Sequence, residues 1–147
     1  MFKKIVVASD FSANADRALK MATELARRDQ GELLLVHACR AGSYALPPPL
    51  DLVSPMPAVA TFEHIEDALK VRADRARSEG LPVTTASLVG SPEETIVDYA
   101  RQAGADLLVI GTSGLGAVAH ALLGSVAEKI LRQAPCPVLV VPRESAR

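Results

Sequence analysis

The sequence predicts an α/β fold, a five-stranded, mostly parallel open sheet with helices on both faces. Short apolar runs rich in Val, Ile and Leu, such as KKIVVAS (3–9) and ADLLVIG (105–111), are typical of strands buried on both sides. These runs alternate with segments whose apolar residues recur at helical spacing. Because parallel strands are joined by right-handed crossovers, this alternation indicates a Rossmann-like arrangement of layers.

The first half of the chain begins with the strand at 3–9 and continues into a helix. Side-chain oxygens that can cap its N-terminus come from Asp10, Ser12 and Asn14, and the helix is predicted to end before Gly31. GELLLVHAC (31–39) is the second buried strand.

Residues 40–60 break the alternation, because they hold five of the ten prolines. We expect an irregular flap there, with a disordered loop favoured over a lid or partner surface. Helical spacing returns from about Phe62 to Ser78. Three arginines of that helix are expected to form a solvated face: Arg72, Arg75 and Arg77.

In the second half, LPVTTASLV (81–89) is the third strand. The next helix has Ser91 as its predicted N-cap, Pro92 at its first position, Glu94 at the capping-box position and Gly104 as its stop signal.

The fourth strand is ADLLVIG, and a second capping box, Ser125 to Glu128, predicts a helix that runs to about Gln133. The fifth strand lies within PCPVLVVP, and its flanking prolines, Pro137 and Pro142, favour an edge position. An edge this apolar predicts a homodimer through Pro137–Pro142.

Composition favours a single domain spanning 1–147 in a cytoplasmic protein. A formal net charge of −1 gives no electrostatic basis for binding nucleic acid or an anionic membrane, and no segment approaches transmembrane length. The two cysteines, Cys39 and Cys136, fit no metal or redox spacing. His37 lies inside a strand and is expected to make a core hydrogen bond rather than bind a metal.

The segment GTSGLGAVAHALLGS (111–125) is the candidate binding site, since ligands of parallel sheets bind beyond the carboxyl ends of the strands. A P-loop is excluded because the chain contains no Gly-Lys pair. Gly124 and Ser125 begin a helix whose first N–H groups and dipole favour an anion. The residues alone leave two interpretations open, a phosphate cradle or a tight turn capped by Ser125.

Gly111-x2-Gly114-x9-Gly124-Ser125 matches the G-x2-G-x9-G-[ST] nucleotide motif, and on these residues the chain resembles the universal stress protein family. The continuation SVAEKILRQAPCPVLVVPR, the opening KKIVVASDFS and the turn Gly90-Ser-Pro92 are also similar to that family. The resemblance covers nearly the whole chain, is weakest over 40–60, and implies the adenine nucleotide α-hydrolase-like type of fold.

For the nucleoside, the resemblance implies contacts at the ends of the first two strands. Ala8, Ser9 and Asp10 would face the adenosine, with Asp10 offering carboxylate oxygens to the base or the ribose. Ala38 would flank the adenine.

For the rest of the nucleotide, it implies that Ile110 and Gly111 lie near the ribose and the first phosphate. The residues implied around the phosphates are Ser113, Gly114, Gly124, Ser125 and Val126. Mg²⁺ can accompany the phosphates, although no carboxylate pair to hold it is visible in the sequence.

Two positions depart from the family's nucleotide-binding members. Leu115 stands where many of them carry a basic residue, and Ser113 where they often carry His. A missing charge-assisted contact costs about ten- to a hundred-fold in affinity. We therefore expect weak ATP binding, or a preference for AMP or another adenosine ligand.

Three functions follow, in order of preference. The first is an adenine-nucleotide (ATP)-binding regulatory or sensor module for stress responses, at most a slow ATPase because no general base is positioned to activate water. The second is a dimeric interaction or chaperone-like protein without nucleotide. The third is a related adenine-nucleotide α-hydrolase enzyme, which ranks last because ASDFSAN lacks the paired glycines of its SGGxDS-like loop.

Overall fold

A computed structural model describes residues 1–40, 62–112 and 123–144 of the chain. Their five strands form one parallel sheet. In chain order the strands are β1 (Lys4–Ala8), β2 (Glu32–Cys39), β3 (Val83–Val89), β4 (Leu107–Gly111) and β5 (Val138–Val141). The order across the sheet is β3-β2-β1-β4-β5, and each neighbouring pair is parallel. The predicted fold class is therefore confirmed, and β5 lies at an edge as its flanking prolines indicate.

Helices alternate with these strands. They are α1 (Ala13–Asp29), α2 (Phe62–Arg77), α3 (Pro92–Ala103) and α4 (Ser125–Gln133). Because α1 and α2 cover one face and α3 and α4 the other, successive residues of a strand enter different cores. In β1, Ile5 and Val7 pack on the α1–α2 side, whereas Val6 packs on the α3–α4 side.

Helix α1 begins and ends where the sequence predicts. The Ser12 hydroxyl accepts a hydrogen bond from the Ala15 amide at 3.1 Å, so Ser12 is the N-cap. At the other end Gln30 takes a left-handed conformation, and the Gly31 amide donates to the Ala26 carbonyl at 2.8 Å.

Helix α3 also follows its signals, with one difference at the cap. Pro92 is its first residue and Gly104 ends it with φ of 66°. Ser91 is the N-cap by position, but its hydroxyl makes no capping hydrogen bond. Instead the Thr95 hydroxyl donates to the Ser91 carbonyl at 3.0 Å.

The order of the strands determines which connecting loops lie next to each other at the carboxyl edge of the sheet. The chain moves from β1 outward through β2 to β3, and then returns to the other side of β1 with β4. The loop after β1 leads to α1 on one face of the sheet, and the loop after β4 leads toward α4 on the other face. The two loops therefore separate at the carboxyl edge, although their strands are neighbours. This is the position at which parallel α/β sheets bind ligands.

Candidate functional site

The turn after β1 forms the first wall of the candidate site. Ser9 continues the strand by donating its amide to the Val36 carbonyl at 2.9 Å, and its hydroxyl accepts from the Phe11 amide at 3.1 Å. The half-buried Asp10 accepts a hydrogen bond from the Ser12 amide at 2.9 Å. The turn is thus held by its own side chains, which orients Asp10 at the carboxyl edge.

Phe11 has φ of 65°, which a non-glycine side chain rarely adopts. Its ring stacks on His37, with 4.5 Å between the centroids, and the Arg72 guanidinium lies 4.9 Å from its centroid. Arg72 also donates to the Phe11 carbonyl at 3.3 Å and to Asp16 at 2.6 Å. His37 Nδ1 lies 2.8 Å from the Ser9 carbonyl oxygen, which assigns the proton to that nitrogen.

Two expectations from the sequence are decided by these contacts. The hydrogen bond predicted for His37 is confirmed, although the residue is half-buried rather than in the core. The solvated face predicted for the arginines of α2 is wrong for Arg72, whose side chain is only 20% exposed and supports the turn after β1. Helical spacing could not show this, because the partners belong to α1 and the preceding turn.

Gly111 ends β4 against the buried side chain of Asn14 in α1. A Cβ atom at Gly111 would lie 2.7 Å from Asn14 Oδ1. The Asn14 side chain donates to the Val141 carbonyl at 3.0 Å and accepts from the Thr112 hydroxyl at 3.3 Å. A glycine is therefore needed here for a close side-chain approach. The sequence suggested Asn14 only as a cap.

The first turn of α4 forms the opposite wall, and here the structure corrects the predicted capping box. Gly124 is the N-cap, Ser125 is already the first helical residue, and no side chain caps the helix. The Gly124 amide donates to the Thr112 carbonyl at 2.6 Å and is committed to that bond. The next three amides belong to Ser125, Val126 and Ala127, and they donate to no backbone carbonyl of the described residues, as is usual in the first turn of a helix.

Four of the implied ligand contacts share one apolar cluster. Ala8 and Ala38 at the ends of β1 and β2, together with Val126 at the start of α4, pack against the α3–α4 core that includes Ile110. Ile110 itself is only 3% exposed, so it lies beneath the candidate site rather than on its surface.

Other predicted features lie outside the described residues. These are Ser113, Gly114, Leu115 and the flap beyond Arg40.

A buried carboxylate lies next to α4, and no motif in the sequence indicates it. Glu93, in the first turn of α3, is 7% exposed and accepts a hydrogen bond from Lys129 Nζ at 3.0 Å. Hydrogen bonds from its own amide, Lys129 and Ser91 lower the pKa of Glu93 to about 2, so the group is a carboxylate at neutral pH. Its other oxygen, Oε2, is buried and has no hydrogen-bond partner.

Comparison with known proteins identifies the relatives of this chain. Residues 1–142 match the model of the universal stress protein family. A universal stress protein of Thermus aquaticus, described as lying in a QAH/OAS sulfhydrylase 3′ region, is 42% identical over 142 residues, which cover 96% of this chain and 99% of that protein.

Two similar solved structures contain an adenine nucleotide. A universal stress protein in complex with cAMP is 28% identical, with a TM-score of 0.71, and the match covers 96% of this chain and 97% of that one. A universal stress protein of Archaeoglobus fulgidus in complex with dAMP is 27% identical, with a TM-score of 0.67 over 95% and 98% of the two chains. From the matched family model and this shared fold, the chain belongs to the universal stress protein family.

Proposed function

We propose that this protein binds an adenine nucleotide at the carboxyl edge between β1 and β4 and acts as a regulatory or sensor module in the cytoplasm. The observation that carries the proposal is the convergence of two elements at one point of the sheet. The turn that presents Asp10 follows β1, and the Thr112–Gly124 hydrogen bond holds the first turn of α4 beside the end of β4.

Each element suits one part of a nucleotide. The amides of Ser125, Val126 and Ala127 lie at the positive end of a helix dipole and can donate hydrogen bonds to phosphate oxygens without help from a basic side chain. The small side chains of Ala8 and Ala38 leave room for a planar base next to an apolar core. Similar structures that hold cAMP and dAMP support the same ligand class.

ATP, with or without Mg²⁺, is the ligand that the sequence motif favours. Asp10 is the carboxylate best placed to approach the nucleoside, and Ser113 and Gly114 belong to the proposed phosphate contacts by sequence alone. Regulation would work through occupancy, since a ligand that binds one arrangement of the 111–125 segment better than others shifts the population toward it.

Calorimetric titration with ATP, ADP and AMP tests the proposal, after the protein has been stripped of nucleotide by denaturation and refolding. We expect micromolar affinity for at least one of the three. Asp10→Asn keeps the oxygen that accepts from the Ser12 amide but loses the charge, and should weaken binding about tenfold. Asp98→Asn is the matched control, because Asp98 lies on the exposed side of α3, paired with Arg101.

A nucleotide-independent interaction protein is the second candidate. It is favoured by one observation, namely that the Gly124 amide is already used by Thr112 and cannot donate to a phosphate. Absence of binding to any of the three nucleotides at millimolar concentration would reject the first proposal in favour of this one.

The proposal includes a homodimer through β5. The Leu108 amide donates to the Pro137 carbonyl and the Thr112 amide to the Val141 carbonyl. Because these groups alternate along a strand, the backbone groups of Val138 and Val140 point away from β4. Val140→Pro removes one outward N–H group without breaking the pairing to β4, so it should convert a dimer to a monomer in light scattering. An unchanged mass would exclude pairing through β5.

A further inference from the structure

The Glu93–Lys129 ion pair joins the first turn of α3 to the second turn of α4. Glu93 is the second residue of α3, and Lys129 belongs to the second turn of α4. All four helices run from the carboxyl edge of the parallel sheet back to its amino edge, so the first turns of α3 and α4 lie at the same edge.

Lys129 reaches back toward the start of its own helix. Its Cα lies four residues after Ser125, about 6 Å along the axis, and helical side chains lean toward the N-terminus. Its Nζ is 3.0 Å from Glu93 Oε1, and therefore at the level of the first turn of α3. The ammonium is thus the cation of α4 that lies nearest to the proposed phosphate position.

The positive charge of Lys129 is already balanced by the carboxylate of Glu93. Glu93 is buried and ionised, and its Oε2 atom has no donor of its own. Lys129 is half exposed, but separating it from Glu93 would leave the buried carboxylate without its cation, which costs more than breaking an ion pair exposed on both sides. Lys129 is consequently held by Glu93 rather than released to a ligand.

We propose that the Glu93–Lys129 pair makes the nucleotide site selective for adenine nucleotides that carry a single phosphate. The inference rests on the proposed nucleotide-binding function. On this proposal each additional phosphate adds negative charge at the same edge of the sheet as the Glu93 carboxylate, with no unpaired ammonium from α4 to compensate. The helix dipole alone offers about half a unit of positive charge, which suits one phosphate group better than three.

The test is the ratio of the dissociation constants for ATP and AMP, measured by calorimetry without Mg²⁺ at low ionic strength. In the unaltered protein this ratio should exceed one. Glu93→Gln keeps the shape, removes the carboxylate charge and frees Lys129, and should lower the ratio about fivefold or more. Lys129→Met leaves Glu93 unpaired and should raise the ratio.

Two controls separate this effect from altered folding. Asp98→Asn makes the same change of net charge on the exposed face of α3, and should leave the ratio unchanged. Lys129→Arg retains the ion pair and should also preserve the ratio. Circular dichroism establishes that each variant is folded.

The outcomes distinguish the two proposals. If the unaltered protein binds no adenine nucleotide, the proposed function fails. If it binds them but prefers ATP, or if Glu93→Gln changes the affinities for ATP and AMP by the same factor, the nucleotide site stands and the selectivity assigned to the pair is wrong.

Discussion

The guanidinium of Arg72 lies over the ring of Phe11, with 4.9 Å between its Cζ atom and the ring centroid, and it also donates to the Phe11 carbonyl. A residue of α2 thereby supports the left-handed conformation of a residue that follows β1. Asp10 immediately precedes Phe11, so the orientation of a proposed ligand contact depends on a helix from another part of the chain.

The backbone of Phe11 predicts an unusual order of stabilities among small replacements. Both Phe11→Ala and Phe11→Gly lose the contacts with His37 and Arg72. Only glycine adopts φ of 65° without steric cost, so Phe11→Gly should be about 0.5–1 kcal/mol more stable than Phe11→Ala. Urea denaturation measures the difference. If Phe11→Ala were the more stable variant, the backbone at residue 11 would have left the left-handed conformation, and the prediction would be wrong.

Two replacements of Arg72 should distinguish the contribution of its charge to stability from the contribution of its planar guanidinium. Arg72→Met removes the cation–π contact and the hydrogen bonds to Phe11 and Asp16, and should lower the free energy of unfolding by about 1–2 kcal/mol. Arg72→Lys keeps the charge but not the planar fork, and should recover less than half of that loss. Arg75→Met is the control on the exposed face of α2. An equal loss of unfolding free energy in Arg75→Met would show that the contacts of Arg72 with Phe11 and Asp16 do not stabilise the protein.

Gly111 and Asn14 should show strong energetic coupling. A methyl group at Gly111 would lie 2.7 Å from Asn14 Oδ1, so Gly111→Ala should cost about 1–3 kcal/mol by overpacking. In an Asn14→Ala background the same change should cost almost nothing, because the clashing side chain is gone. The double-mutant cycle is followed by chemical denaturation. Equal costs in the two backgrounds would contradict the contact.

Glu93 predicts a specific dependence of stability on acid. Its pKa falls from about 4.5 to about 2 on folding, so the unfolded chain takes up its proton first as the pH is lowered. The stability that Glu93 contributes is fully present above pH 4.5 and is lost as the pH falls through 2. The difference in unfolding free energy between the unaltered protein and Glu93→Gln should therefore be constant near neutral pH and shrink across that interval. A difference independent of pH from 6 to 2 would contradict the assignment.

The sheet and the helix bounds were predictable because their signals are local and repeated. β1 and β4 are continuous apolar runs, and Pro92 and Gly104 stand at the two ends of α3 as propensity requires. The start of α4 was misplaced by one residue for a physical reason. The pattern Ser125 to Glu128 resembles a capping box, but it does not reveal which residue leaves the helical conformation, and that residue is Gly124.

The supporting contacts of the candidate site were not predictable, because each joins residues far apart in sequence. Asn14 meets Gly111, Arg72 meets Phe11, and Lys129 meets Glu93 only after the sheet has assembled. A motif gives the spacing of residues that share one loop. It contains no information on which side chain of another helix fills the space behind that loop.

The hydrogen bond from the Gly124 amide to the Thr112 carbonyl ties the two ends of residues 113–123 to each other. This hydrogen bond therefore joins the end of β4 directly to the start of α4. Doubling the length of a closed loop costs only about 0.6 kcal/mol. We therefore expect that a change in the number of residues between Thr112 and Gly124 costs the surrounding framework little stability.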